Sequence, residues 1–524
     1  MVQTEVSGKP RSNRRRGAKR QSTDGAANKA ALSQPAFKTL HRPTAPVEFL
    51  SQDEIMAIHN ASLKVLSETG VDVLHDDARR LMDRAGAHVE EGSNRVRFDP
   101  ELIKECLATI PPTFTLHARN PEHSVSIGGR NTIFDLMASA PNCSDLDNGR
   151  RPGSQADFRN LLKLAQSHNI LHVTGGYPVE PVDIHASVRH LDCIQDYITL
   201  TDKAYCIYAL GPERVEDAIE MTRIAHGLSH EELQKRACMF SIINTNSPLQ
   251  LDIPMMDGVM RLAKMGQPVV VTPFTLSGAM APVTIAGALV LQNAEALSAI
   301  ALSQMVRPGA PVMYGGFTSN VDMKTGSPAF GTPEYMKAQH ASGQLARLYG
   351  IPFRSSNVCA ANTVDAQAAY EAVFSLWGAI NGGANMLMHG AGWLEGGLCC
   401  SYEKLILDID LLQMVGELLE PLEVNADTLA TDVIASVGPA GHFFGTDHTQ
   451  ARYKDAFYSP ILSDWRNFET WQEAGSPIAM EKANKVWKQR LAEYQAPDLQ
   501  VDRAEELSEF VAKRKAEGGA KTDF

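Results

Sequence analysis

The chain has 524 residues, 44% hydrophobic and 21% charged, with 39 Gly and 28 Pro; this is a globular composition, which excludes a stapled peptide, a collagen-like chain and a wholly disordered one. At about 150 residues per domain, it holds two or three ordinary domains or one large barrel with extensions. The net charge of −12 conceals ten Lys/Arg against Glu5 and Asp24 in residues 1–45, a net +8 that leaves −20 on the other 479 residues. Such an acidic body excludes a nucleic-acid groove as the main function, because phosphate binding needs a basic surface that releases counterions.

In chain order, residues 1–45 read as a disordered basic tail, a solvated arm that could also touch nucleic acid or an acidic partner. No apolar segment follows Arg14-Arg15-Arg16, so neither a secretory nor a twin-arginine signal is supported and a cytoplasmic location is expected. Residues 46–130 form an N-terminal α+β extension: helices over Asp53–Thr69 and near Asp76–Ala85, and short strands around Arg95–Phe98 and Phe114–His117. Ser51 and Glu54 make a capping-box pattern ahead of the first helix.

From residue 131 to 420, eight short apolar runs alternate with helical patterns. The runs are Ile133–Met137, Ile170–Thr174, Ala204–Ala209, Cys238–Ile243, Pro268–Thr272, Pro311–Tyr314, Ile351–Ser355 and Ala384–Met388, and their starts lie 30 to 43 residues apart. The helical patterns include Ser154–Ser167, Glu213–His226, Pro254–Lys264, Val283–Val306, Pro333–Tyr349, Asp365–Ile380 and Tyr402–Leu419. Continuously apolar strands imply burial on both faces, the mark of a parallel sheet wrapped by helices. Eight such units fit a (β/α)8 TIM barrel, with a doubly wound open sheet as the alternative. Leu276–Leu291 is broken by Pro282, is too short to span a bilayer, and reads as part of a buried helix. Residues 421–524 form a C-terminal helical extension with a charged helix over Ala483–Tyr494 and a frayed last dozen residues.

The eight cysteines make no C-x-x-C pair and read as reduced, buried thiols; Cys399-Cys400 is the one pair that could be reactive, with small core residues the plainer reading. In a TIM barrel the reactive groups sit at the C-terminal ends of the strands. Here these positions hold Asp135, Tyr177, Tyr208, Asn244, Asn246, Phe274, Tyr314, Phe317, Arg354, Asn357 and His389, and the last loop adds Trp393 and Glu395. Aromatics outnumber acids. Ring faces stabilise a cation that has no proton to donate, by about 0.5–2 kcal/mol per contact, so the set suggests a quaternary ammonium ligand, although any single aromatic is equally well a packing residue. Strand alternation puts Arg354 on one face with Ser356; inside the mouth it could clamp a carboxylate, while a structural ion pair is the competing reading. His389 could donate a hydrogen bond or shuttle a proton, or simply pack.

Gly390-Ala391-Gly392 begins like a dinucleotide fingerprint, but Glu395 stands at the third glycine. No P-loop, G-x-S-x-G, H-E-x-x-H or His-x-Cys zinc pattern occurs, and no metal site is expected.

Four further blocks carry a resemblance: Val270–Pro282, Leu289–Glu295, Asp365-Ala366-Gln367-Ala368 and Gly390–Lys404, with Arg14-Arg15-Arg16-Gly17 at the start. Over nearly its whole length the chain resembles the trimethylamine methyltransferase superfamily, a methanogenesis-related family of corrinoid-dependent enzymes. The resemblance implies a TIM barrel, a cytoplasmic homo-oligomer, and methyl transfer from an amine to the cobalt of a corrinoid (cobalamin) carried by a cognate partner protein. The carrier pattern D-x-H-x-x-G is missing here, since Asp183-Ile184-His185 is followed by Val188 at the glycine position. Only standard residues occur, which resembles the branch without pyrrolysine, whose best-known substrate is glycine betaine.

On this reading Tyr177, Phe274, Phe317 and Trp393 surround a trimethylammonium, Arg354 holds a carboxylate, Asn246 lines the substrate site, and His389 and Glu395 are the catalytic candidates; barrel geometry rather than the family motif assigns them. Two other readings stand beside it: a non-catalytic scaffold for a betaine or a corrinoid protein, and a barrel enzyme holding a phosphorylated ligand on Gly390, Gly392 and Gly396.

Overall fold

The computed structural model describes residues 34–522. The eight apolar runs become eight strands: β1 (Asn131–Leu136), β2 (Val173–Thr174), β3 (Ala204–Ile207), β4 (Met239–Ile243), β5 (Val269–Val271), β6 (Val312–Gly315), β7 (Phe353–Ser356) and β8 (Met386–Ala391). Each pairs in parallel with the next, and β8 returns to β1 through Met386↔Ile133 and Leu387↔Phe134, so the sheet closes into the expected barrel. A helix follows every strand: α1 (Gln155–Gln166), α2 (Arg189–Leu200), α3 (Pro212–His226), α4 (Ile253–Lys264), α5 (Ile285–Val306), α6 (Pro333–Tyr349), α7 (Ala366–Gly382) and α8 (Tyr402–Leu418). α5 is the one helix among the described residues long and apolar enough to cross a membrane, and here it lies largely buried in the protein.

Because side chains alternate along a strand, the barrel has two separate cores. Ile133, Val173, Ala204, Cys206, Phe240, Val270, Met313, Met386 and Met388 point inward and pack with each other. Their neighbours point outward and pack against the helices, as Phe134, Tyr205, Met239, Val271 and Tyr314 do. The floor of the inner core is a hairpin of the N-terminal extension, Thr113–Leu116 with Val125–Gly128, which contributes Leu116, Val125 and Ile127. Only the opposite end, where the strands finish, is left for a site.

The termini differ from expectation. Residues 1–33 of the expected disordered tail lie outside the described residues. Residues 34–45, by contrast, pack on the barrel: Leu40–His41 adds an antiparallel rung to β1. Arg42, only 3% exposed, donates to Thr132 Oγ1 (2.6 Å), Gly129 O (3.1 Å) and Ala384 O, and so ties the start of β1 to the turn before β8. Of the last dozen residues, those described, 513–522, are likewise held rather than frayed. Helix Val501–Ala516 lies on α2 and α3, with Arg514 Nε 2.6 Å from Asp217 Oδ1 and Ala520 N–H donating to Ser187 O at 2.8 Å. Residues 421–478 are different in kind: only Leu462 is buried among them, while Leu422 (88%), Phe444 (81%), Phe457 (85%) and Trp465 (73%) face solvent.

Arg42→Met should lower the unfolding free energy by about 1–2 kcal/mol, because it removes three hydrogen bonds across the barrel seam, although Thr132 Oγ1 still donates to Ala384 O and Asn385 Nδ2 to Gly129 O. The midpoint of urea unfolding measures this, and a midpoint equal to that of the parent protein would show that the strap does not hold the barrel seam.

Candidate active site at the barrel mouth

Continuing the inward parity of each strand past its last paired residue predicts which side chains reach the mouth. On β3 to β7 the next inward positions are Tyr208, Asn244, Phe274 and Phe317, with Arg354 inward on β7 itself. All of these line one cavity of about 550 Å3, together with Ile242, Thr272, His389 and Trp393. Parity also explains Tyr314, which faces outward and is bonded inside the helix layer.

Three walls of the cavity are aromatic. The ring of Phe317 lies 5.1 Å from Phe274, 5.8 Å from Trp393 in a near-parallel stack and 5.9 Å from His389. Phe330, from the loop after β6, backs Phe317 and Trp393 at 5.8 and 6.1 Å. A Cβ on Gly397 would lie 2.6 Å from Trp393 Cζ2, so only glycine lets the last loop close over the indole.

Arg354 is 2% exposed, with its Cζ 5.3 Å from the Phe317 ring centre, and its Nε and Nη1 have no hydrogen-bond partner. Asp135 acts on it electrostatically, but no ion pair joins the two side chains among the described residues. Neither Asp135 oxygen has a side-chain partner, and burial pushes its carboxyl well above the usual range against the opposing pull of Arg354. Burial likewise lowers the Arg354 guanidinium to about 10.

His389 reaches the cavity by breaking parity. Met388 points into the barrel, so the next side chain should face the helices. Instead His389 adopts φ 54° at an irregularity in the β8–β1 register, and this turns its ring toward the mouth, 3.9 Å edge-on to Trp393 with Nδ1 3.2 Å from Ser356 Oγ. A left-handed backbone at a non-glycine residue is uncommon and costs about 1–2 kcal/mol. Burial, with Arg354 nearby, holds the imidazole well below its ordinary range, so it is neutral at working pH and offers a hydrogen bond rather than an acidic proton.

Three expected site residues are not where parity put them. At Gly176, φ 123° turns the chain after β2, and Tyr177 is carried into the helix-layer core beside Phe158 and Tyr197. Tyr208 takes its place at the mouth, 4.2 Å from Tyr177 and with its hydroxyl 2.6 Å from Ser139 Oγ. Asn246 sits beyond the cavity in a bridge to Gln250, and Asn244 supplies the polar wall instead, donating to Thr272 O at 2.8 Å. Glu395, at φ 53°, points away and receives both 3.0 Å bonds from Arg150 Nε. Sequence reasoning also missed Phe330, which lies far from any strand end; no local signal marks it.

The geometry also removes two of the chemical alternatives. Of the glycines proposed to hold a phosphate, Gly392 N–H already donates to Asp408 Oδ2 (2.8 Å) and Gly396 N–H to Cys359 O (3.0 Å). All eight cysteines are buried, and burial pushes the Cys399 and Cys400 thiols up, away from the reactive thiolate. Among the described residues no group of three or more His, Cys, Asp or Glu is placed to hold a metal ion.

A family model described as trimethylamine methyltransferase (MTTB) matches residues 12–519. A glycine betaine methyltransferase of Desulfitobacterium hafniense (strain Y51) is 37% identical over 471 residues, 90% of this chain and 98% of that protein. Trimethylamine methyltransferase MttB of Desulfitobacterium hafniense (strain DSM 10664 / DCB-2) is 30% identical over 437 residues, 83% and 87% of the two chains. Among solved structures, the monomethylamine methyltransferase MtmB of Methanosarcina barkeri overlays with a TM-score of 0.46 at 10% identity, covering 85% of this chain and 93% of that one.

Trp393→Ala should weaken binding of tetramethylammonium about tenfold, the loss of one cation–π wall, whereas Glu395→Gln should change it less than twofold. Isothermal titration calorimetry decides, and a larger loss from Glu395→Gln would return that carboxylate to the site.

Proposed function

The chain belongs to the trimethylamine methyltransferase family and is a methyltransferase; on that premise we propose that its substrate is a carboxylated quaternary amine, most simply glycine betaine. The observation that carries the reading is Arg354. A buried guanidinium with two unpartnered nitrogens, set beneath the Phe274, Phe317 and Trp393 rings, is the complement of a small zwitterion. The rings take the trimethylammonium, Arg354 takes the carboxylate, and the neutral His389 ring and Trp393 Nε1 complete the polar lining. Tyr208 and Asn244 replace Tyr177 and Asn246 in this assignment, and Glu395 has no part in it.

The methyl acceptor is the corrinoid of a separate protein, which supplies the cobalt nucleophile. The chain fits a carrier that docks over the mouth. Leu146, Val182, Val283, Met323 and Leu398, from five different loops that follow strands, and Ile253 at the start of α4 are all about half exposed or more. The residues of the chain have limited work to do, since a quaternary ammonium leaves as a neutral tertiary amine and needs no acid. They place the methyl group in line and exclude water, and proximity of this kind is worth about 7–11 kcal/mol in favourable cases. This matches a site whose one histidine is held neutral. A cytoplasmic location accords with a partner of this type.

Glycine betaine mixed with the protein and cob(I)alamin should yield dimethylglycine as cob(I)alamin absorbance falls; no product from any quaternary amine would overturn the reading. Arg354→Ala should cost a carboxylated substrate about 10–100-fold in kcat/KM and choline less than threefold, since charge-assisted hydrogen bonds are worth about 1.5–3 kcal/mol. Equal losses on both would remove the clamp.

We further propose that the protein is a homo-oligomer built through residues 421–478. Their aromatic side chains have no core of their own, and the outer face of the barrel offers an apolar groove lined by Val47, Phe49, Met336, Phe374 and Trp377. Sedimentation of Phe444→Glu/Phe457→Glu should show a smaller species than the parent protein, and an unchanged mass would exclude this segment from the interface.

A further inference from the structure

The apolar helix α5 carries three polar residues within about one turn, Gln292, Asn293 and Glu295, all 0% exposed. None touches the cavity, yet each binds a loop or strand that does, or that supports one. Glu295 accepts from Thr245 Oγ1 (2.5 Å), Ser247 Oγ (2.7 Å) and Leu249 N (2.7 Å), which fixes the loop after β4. Gln292 acts on the two aromatic walls. Its Nε2 donates to Ser342 Oγ (2.9 Å) and Tyr314 OH (3.2 Å), which leaves Oε1 turned toward Thr318 and accepting from its hydroxyl at 2.7 Å. With its one proton committed to Gln292, Thr318 Oγ1 accepts from Thr275 Oγ1, the next member of the chain. Thr275 follows Phe274, and Thr318 follows Phe317. Beyond them the same two loops pair in parallel through Leu276↔Ser319 and Ser277↔Asn320.

We propose that Gln292 is a positioning residue that sets the spacing of Phe274 and Phe317 through the Thr318–Thr275 hydrogen-bonded pair, and thereby determines selectivity for a permanently charged ammonium. The inference rests on the reading of the cavity as a quaternary-ammonium cage. Its physical basis is the steepness of ring–cation attraction, which holds only when the cation lies within about 6 Å of each ring centre. The two loops pair by main-chain bonds only beyond Thr275 and Thr318, so the side-chain tie next to the rings is the hydroxyl pair, and the 5.1 Å ring separation depends on it together with that pairing. A buried, direction-fixed chain of hydroxyls and one amide does this at a defined length. A purely apolar contact would let the loops slide.

The test compares glycine betaine with its neutral carbon isostere 3,3-dimethylbutanoate, by calorimetric Kd, in the full-length protein. Both ligands present the same carboxylate and the same shape, so their ratio reports the cage alone. In the parent protein the charged ligand should bind at least tenfold tighter. Gln292→Leu and Thr318→Val should each cut that ratio at least fivefold, while Thr318→Ser, which keeps the hydroxyl, should retain it. A parent protein that discriminates alongside variants that keep the full ratio would overturn the proposal and leave the cage intact. A parent protein that does not discriminate would overturn the cage reading and the proposal with it. Weaker binding of both ligands by the same factor marks a merely structural role and also overturns it. If Gln292→Leu fails to fold, the Val and Ser variants of Thr318 decide by the same ratio.

Discussion

A guanidinium taken out of water without an acceptor is among the costliest arrangements a protein can hold, several kcal/mol even after relaxation. Arg354 is in that position, with Nε and Nη1 unpartnered at the bottom of the barrel mouth. The acid that acts on it, Asp135, is itself driven toward its neutral form by the same burial. Much of the surrounding structure follows from keeping this charge dry, accessible and unneutralised. It stands on the inward face of β7 and lines the cavity, where a ligand can reach it. The Phe317 ring lies against its plane and offers polarisable contact without a counter-charge.

The rest of the mouth is built from loops that the barrel does not hold by strand pairing alone. Their rigidity is supplied from outside. The buried polar face of α5 reaches the loops after β4 and β6 directly and the loop after β5 through Thr318, and the buried Lys404–Asp408 pair on α8 supports the Gly390–Trp393 turn through the Gly392 amide. Polar residues so deeply buried would be a liability in a core whose only task was stability. Here they appear where aromatic walls must keep a fixed separation, and every one of them is hydrogen-bonded.

Most of the barrel was legible because its signal is local. Apolar runs of four to six residues at regular spacing define parallel strands, and a period of two then decides which residue at each strand end faces inward. That rule reaches Phe274, Phe317 and Arg354 directly. It fails where the backbone leaves the extended region. Gly176 turns Tyr177 out of the mouth, and left-handed turns at His389 and Glu395 send one ring in and one carboxylate out. It also passes over Phe330, whose place depends on how a loop folds back over β6. Composition misplaced the edge of the N-terminal arm in the same way, since nothing in its charge shows that Arg42 will find three acceptors on the barrel.

The amino-acid order by itself determined the eight-fold repeat, the parallel closed sheet and the aromatic, acid-poor character of the strand ends, because alternation and hydrophobic burial act between near neighbours in the chain. The tertiary structure alone decided which of those side chains share one cavity, that Arg354 Nε and Nη1 are left without hydrogen-bond partners, and that α5 pins the two phenylalanine loops. These depend on contacts across 25 to more than 200 positions, and on a few positive φ values that redirect a side chain without changing its residue type.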